Sequence, residues 1–192
     1  MVRQEEDEAL IELLSSGKEQ LSEAVQNVIP QSMYQLSVDD LIEDIEDHHH
    51  IGEREALKRV APMVNKIMVV HYMEHRQELV PVHRLFSDLK KELEEHFVKE
   101  EQLVFPLVKS KGFGDEEVRT YIEELKEEHR TICEILRELK QVTRDFNAPQ
   151  GACPTFIGTY KELSELTQDV LIQIYKENMI LFPKGEEKGG NE

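Results

Sequence analysis

The sequence predicts an all-α protein, an up-down four-helix bundle with a short helical appendage at its N-terminus. Three observations predict it. Apolar residues recur at three-to-four spacing through four long segments. Helix breakers fall between those segments, at Val80-Pro81, at Lys111-Gly112-Phe113-Gly114 and at Asn147-Ala148-Pro149-Gln150-Gly151. No strand-like alternation of useful length appears. A chain of 192 residues, 39% hydrophobic and 33% charged, suits one well-buried core with a small addition and is too short for two full enzyme domains.

Residues 1–36 hold two short amphipathic stretches, Glu5–Leu14 and Lys18–Val28, separated by Ser-Ser-Gly and closed by Ile29-Pro30, and read as the appendage. The bundle is expected over residues 37–184. Ser37 is a good N-cap for its first helix, with Asp39 and Asp40 in the first turn where the helix dipole favours acids. The second helix carries Leu85, Leu89, Leu93, His96, Glu100, Leu103 and Leu107 on one stripe. The third repeats the pattern with Val118, Ile122, Leu125, His129, Ile132, Leu136 and Leu139. In the fourth, which Pro183 ends, Leu163, Leu166, Val170, Gln173, Glu177 and Ile180 share a face. The polar, glycine-rich tail GEEKGGNE, residues 185–192, is expected to be disordered.

Bulk charge narrows the function classes. A net charge of -17 argues against nucleic acid and anionic membranes, whose phosphates recruit Lys and Arg, and leaves neutral, cationic or metallic partners. No stretch approaches the ~20 apolar residues of a membrane span. The acidic start MVRQEEDEAL does not resemble a signal peptide, so a cytoplasmic location is expected. Cys133 and Cys153 lie far apart with no CxxC, which gives neither a disulfide framework nor a zinc ribbon. No glycine-framed nucleophile or phosphate-cradling loop occurs.

The inward stripes carry the chemistry. Ionised carboxylates in an apolar interior are costly unless paired or bound to a cation, and Glu100 and Glu177 on different helices aggravate each other. No Lys or Arg interrupts the inward stripes of the second to fourth helices. A pair of divalent metals would satisfy both acids, and helix bundles build such sites from carboxylates and histidines on facing helices. Mixed nitrogen and oxygen ligation favours iron over zinc or calcium. A lone HxxxE pair such as His96 and Glu100 arises often in a chain so rich in Glu. The coincidence of His96, Glu100, His129 and Glu177 on stripes of separate helices decides for metal. His71 and His75 are also four apart and read either as a metal pair or as a solvated helix end. In the run His48-His49-His50, the stripe of Leu41 and Ile45 points to His48 or His49.

Four segments carry a resemblance: HFVKEEQLVFPLVK from His96 to Lys109, EEHRTICEIL around His129, APQGACPTF containing Cys153, and YKENMILFP from Tyr175 to Pro183. On these the chain resembles the haemerythrin-like proteins, and most closely the RIC family that repairs iron-sulfur clusters after nitrosative and oxidative damage, over roughly residues 38–184. The resemblance implies a non-haem di-iron centre with His50 as ligand from the first helix, His96 and Glu100 from the second, His129 from the third and Glu177 from the fourth. Glu100 and Glu177 would bridge the two irons. His71 falls where the family also has a histidine and stands as a further ligand. His50, Leu57, Val64 and His71 lie seven apart, yet an unbroken helix from His50 to His71 spans about 31 Å, so both reach one centre only if the helix breaks near Gly52 or Pro62.

Two departures from the family accompany it. Its fourth-helix HxxxE is here Gln173-Ile174-Tyr175-Lys176-Glu177, which predicts two unequal metals. The cysteine-bearing N-terminal domain of many members is replaced by an acidic segment without cysteine. The resemblance implies iron, nitric oxide or oxygen, and damaged iron-sulfur proteins as partners, with iron donation or nitric oxide handling as the activity. A gas-binding or gas-sensing module without repair activity is the alternative, and reduction of nitric oxide or peroxide an enzymatic third.

Overall fold

The computed structural model describes residues 10–12 and 29–185, and among them every regular element is helical. Of the expected appendage, Leu10 and Ile11 are buried, whereas the stretch Lys18–Val28 and the tail beyond Gly185 lie outside the described residues. A 3-10 turn at Gln31–Gln35 leads into α1, Val38–Asp44. Ser37 caps α1 as its sequence suggests: its hydroxyl accepts from the Asp40 backbone N–H, and the Asp40 carboxylate reaches back to the Ser37 N–H, a reciprocal capping box.

A π-helical turn, Ile45–His50, carries α1 into α2, Ile51–Lys99. α2 is two arms joined at His75, whose backbone (φ -125°, ψ 20°) is non-helical. The break therefore falls ahead of the expected Val80-Pro81, and Pro81 lies inside the second arm. A second π turn, Glu100–Val104, runs into α3, Phe105–Lys111. Gly112, with φ 76°, ends α3 in a conformation that side chains with a Cβ resist. α4, Glu116–Val142, starts at Asp115, whose carboxylate accepts from the backbone of Glu117 and Val118. The loop after α4 passes through three left-handed residues, Arg144, Asp145 and Phe146. α5, Pro154–Lys176, opens with proline at its first position and continues into a third π turn, Glu177–Leu181.

Both α4 and α5 pack against α2. The first arm of α2 runs antiparallel to α5, since His50 meets Gln173 while Arg59 pairs with Glu162 at 3.0 Å. At the other end, Glu78 beyond the kink accepts hydrogen bonds from Tyr160 and Arg144. Between the helices lies one apolar core, with Leu89, Leu93, Phe97, Leu125, Leu136, Tyr160 and Leu163 all but inaccessible. No described helix is long and apolar enough to cross a membrane.

Candidate metal centre

The three π turns fall on expected ligand positions. His50 closes the first, Glu100 opens the second and Glu177 opens the third. A π turn inserts one residue into the helical ladder and is found at functional sites for that reason: it turns a side chain inward that the regular period would not. His50, His96, Glu100, His129, Gln173 and Glu177 are all buried, and their polar ends meet in the core. Donor atoms of His96, Glu100, His129 and Glu177 lie within 4.8 Å of one another. His50 Nε2 is 3.1 Å from Glu100 Oε2 and 3.1 Å from the Gln173 amide nitrogen, which also donates to Glu177 Oε1 at 2.9 Å.

The proton positions on the three imidazoles are fixed from outside. His50 Nδ1 donates to Glu101 Oε1 at 2.8 Å, His96 Nδ1 to Glu128 Oε2 at 2.8 Å and His129 Nδ1 to Asn178 Oδ1 at 2.9 Å. Each ring thus turns its Nε2 inward, with the outer partner orienting it, and although burial lowers them, the Glu100 and Glu177 carboxylates hold His50 raised and His96 raised further. Arg54 in turn grips Glu101 with two hydrogen bonds and lies 5.0 Å over the Phe97 ring, while Lys99 donates to Glu128 at 2.9 Å. Burial alone would raise the Glu128 carboxyl, but His96 and Lys99 outweigh it and hold it at about 2. Phe97, Phe105 and Phe182 pack on the imidazoles and close the site to water.

The interior so formed gathers imidazole nitrogens and carboxylate oxygens. His96 Nε2 and His129 Nε2 face each other at 3.1 Å, and His129 Nε2 faces Glu177 Oε2 at 2.9 Å. Contacts this close need a proton or a metal cation between them. The two acids show the same need: burial and the charge of Glu177 push Glu100 up, whereas Glu177, which burial would also raise, is pulled well down by His129 and His96. Buried oxygens of Glu100, Glu177 and Gln173 have no hydrogen-bond partner. This donor set fits a metal cation of mixed nitrogen and oxygen preference.

The family model described as Hemerythrin HHE cation binding domain matches residues 41–185. The chain belongs to this family. The iron-sulfur cluster repair protein YtfE of Salmonella typhimurium is 29% identical over 167 residues, which cover 86% of this chain and 74% of that relative. Proteins of the same name from Salmonella paratyphi B and Salmonella newport match at the same identity and coverage. The family's cation-binding character thus agrees with the interior of imidazoles and carboxylates.

Of the residues singled out in sequence, the structure brings together His50, His96, Glu100, His129 and Glu177, and sets Gln173 among them. Of the histidine run, His48 is exposed and hooks back to Asp44, and His49 is buried against Asp169 and Lys176. His71 does not join the cluster. The helix runs unbroken from His50 past Gly52 and Pro62 to the kink at His75, so His71 is carried to the far end of the arm, where its Nε2 lies 3.2 Å from Cys153 Sγ and its ring packs on Phe156. Glu101, Glu128 and Asn178, which orient the imidazoles, were not singled out in the sequence. Each immediately follows or precedes a candidate ligand, and in a chain with 40 acidic residues that adjacency carries no weight before the fold is known.

The two cysteines make contrasting environments. Hydrogen bonds from the Phe156 backbone and from His71 lower the Cys153 thiol, whereas burial pushes Cys133 up to about 12. Iodoacetamide at about pH 8 is expected to alkylate Cys153 in the folded protein and Cys133 only after unfolding. Peptide mass spectrometry of native and denatured samples checks this, and native labelling of Cys133 would contradict its packing.

Proposed function

We propose that this protein is a di-iron protein of iron-sulfur cluster repair, an up-down four-helix bundle that holds two irons bridged by Glu100 and Glu177. His96 and His129 would hold one iron; His50 would hold the other, on the side of Gln173. The observation that carries this reading is the convergence of imidazole Nε2 atoms and carboxylate oxygens in a buried interior, with each Nδ1 hydrogen-bonded outward. The names of the relatives extend it to cluster repair. Bound iron supplies an exchangeable, redox-active cation, with nitric oxide or oxygen as its small-molecule partners. The chain's own contribution is to fix the imidazole tautomers through Glu101, Glu128 and Asn178, to exclude water with three phenylalanines, and to place unequal donors on the two sides.

The inequality suits an iron donor. The side of His96 and His129 offers two imidazoles, whereas Gln173 offers an amide oxygen that binds iron weakly, so the iron beside His50 is the one to leave. Metal analysis of untagged protein after anaerobic reconstitution should find two irons per chain, as in other carboxylate-bridged bundles. Loaded protein should then restore an apo iron-sulfur client with loss of its own iron. No iron after reconstitution would sink the reading. A reversible spectral change with nitric oxide and no transfer to the client would favour gas sensing.

A further inference from the structure

One buried carboxyl beside the centre has no hydrogen-bond partner. Glu53 lies on the first arm of α2, three residues on from His50 and so on the same helix face. It is 0% exposed, and neither carboxylate oxygen has a hydrogen-bond partner. Such a group is heavily penalised without a cation or proton. The surroundings sharpen the penalty: besides burial, the charges of Asp169, Glu177 and Glu100 push the Glu53 carboxyl up, and His96, which acts the other way, does not offset them.

The nearest imidazole does not answer it. Lys176 Nζ donates to His49 Nε2 at 2.8 Å, which leaves the ring proton on Nδ1. That Nδ1 is 3.1 Å from Asp169 and 3.8 Å from Glu53, so its proton belongs to Asp169. For the same reason the group His49, Glu53 and Asp169, although within 4.8 Å of one another, is not an independent cation site: its one nitrogen is protonated and its histidine is already held by a lysine ammonium. What remains facing the core are oxygens alone, both of Glu53 and one each of Glu100 and Gln173, none with a partner.

On α5, Asp169, Gln173 and Glu177 are spaced by four and share a face. α5 runs antiparallel to the first arm of α2, and Glu53 faces it there: its carboxylate lies within 4.8 Å of Asp169, and Glu177, Glu100 and His96 of the centre all lie close enough to act on it. We propose that Glu53 is a ligand of the metal on the His50 side, supplying the donor that the amide of Gln173 provides only weakly. This rests on the two-metal reading above and deepens it. Each half of the centre then draws on a histidine and a glutamate one turn apart on a single helix: His96 with Glu100, and His50 with Glu53. The His50 side becomes rich in carboxylate and the other side rich in imidazole, a difference in donor hardness as well as number.

The test uses full-length protein with Glu53→Gln, which keeps the shape and removes the charge, and Glu53→Ala as a second variant. Anaerobic iron(II) titration with metal analysis should give two irons in the unsubstituted protein and one in either variant. Gln173→His added to Glu53→Gln should regain the second. Melting curves separate a ligand from a packing residue. An amide of the same shape should not lower the melting temperature of the iron-free Glu53→Gln protein, while its gain on adding iron shrinks. A purely structural Glu53 would instead lower the iron-free value and leave that gain unchanged, which overturns the proposal. So does a variant that takes as many irons as the unsubstituted protein with affinity within twofold, and so does an unsubstituted protein that takes only one. An unsubstituted protein that takes none removes the two-metal reading itself.

Discussion

Glu100→Ala is expected to leave the protein without iron at either position. Glu100 is the acid that touches both halves of the centre, with Oε2 3.1 Å from His50 Nε2 and 3.4 Å from His96 Nε2. In the proposed two-iron centre, removing it would take a shared charge from both metals at once, where loss of a single histidine would weaken one. The effect on stability depends on the metal. In the iron-free protein, deletion relieves the repulsion between Glu100 and Glu177, which offsets part of the cavity left behind. With iron present at a hundred times its dissociation constant, binding stabilises a folded protein by about 2.7 kcal/mol. For a chain of this size that is roughly 5–10 °C in melting temperature. The variant should therefore melt close to the unsubstituted protein without iron and fail to gain when iron is added. Metal analysis and paired melting curves decide the matter: iron content equal to that of the unsubstituted protein would remove Glu100 from its bridging role.

The same π turns explain which parts of the fold and site were legible in the sequence. α4 contains no π turn, and every residue of its expected stripe, from Val118 through His129 to Leu139, is buried. In the second arm of α2 the stripe holds as far as Glu100. There the π turn adds a residue, and Val104 and Val108 are buried where the regular period put Leu103 and Leu107. The first helix shows the same slip at a candidate ligand. A regular period from Leu41 and Ile45 lands on His48 or His49, and the π turn Ile45–His50 delivers His50 instead. The resemblance to the family named His50 because it compares positions and needs no helical period. His71 fails for a geometric reason, since a sevenfold spacing keeps a residue on its face but moves it along the axis. Glu53 was illegible for a third reason: in an acidic chain its place in Gly52-Glu53-Arg54-Glu55 reads as solvated surface, and only the antiparallel pairing with α5 reveals that it is buried.

In the proposed two-iron centre, Gln173→His should convert an unequal pair of metals into a more equal one. The Gln173 side chain already reaches the centre, with its amide 3.1 Å from His50 Nε2 and 2.9 Å from Glu177 Oε1, so an imidazole of similar reach enters without displacing the backbone. It replaces a neutral amide oxygen by a nitrogen that binds iron far better. Outer residues that merely orient a ligand change metal affinity by about 10–100-fold, and a change of the ligand itself is expected to match or exceed that range. Under a chelator, the unsubstituted protein should release iron in two phases of equal amplitude, the faster from the His50 side, and Gln173→His should slow the fast phase by at least about tenfold. If lability at this position serves donation, the variant should also transfer less iron to an apo-cluster client although it holds more. A single release phase in the unsubstituted protein, unaltered by the substitution, would show that the two positions are equivalent and that Gln173 does not set the order in which iron leaves.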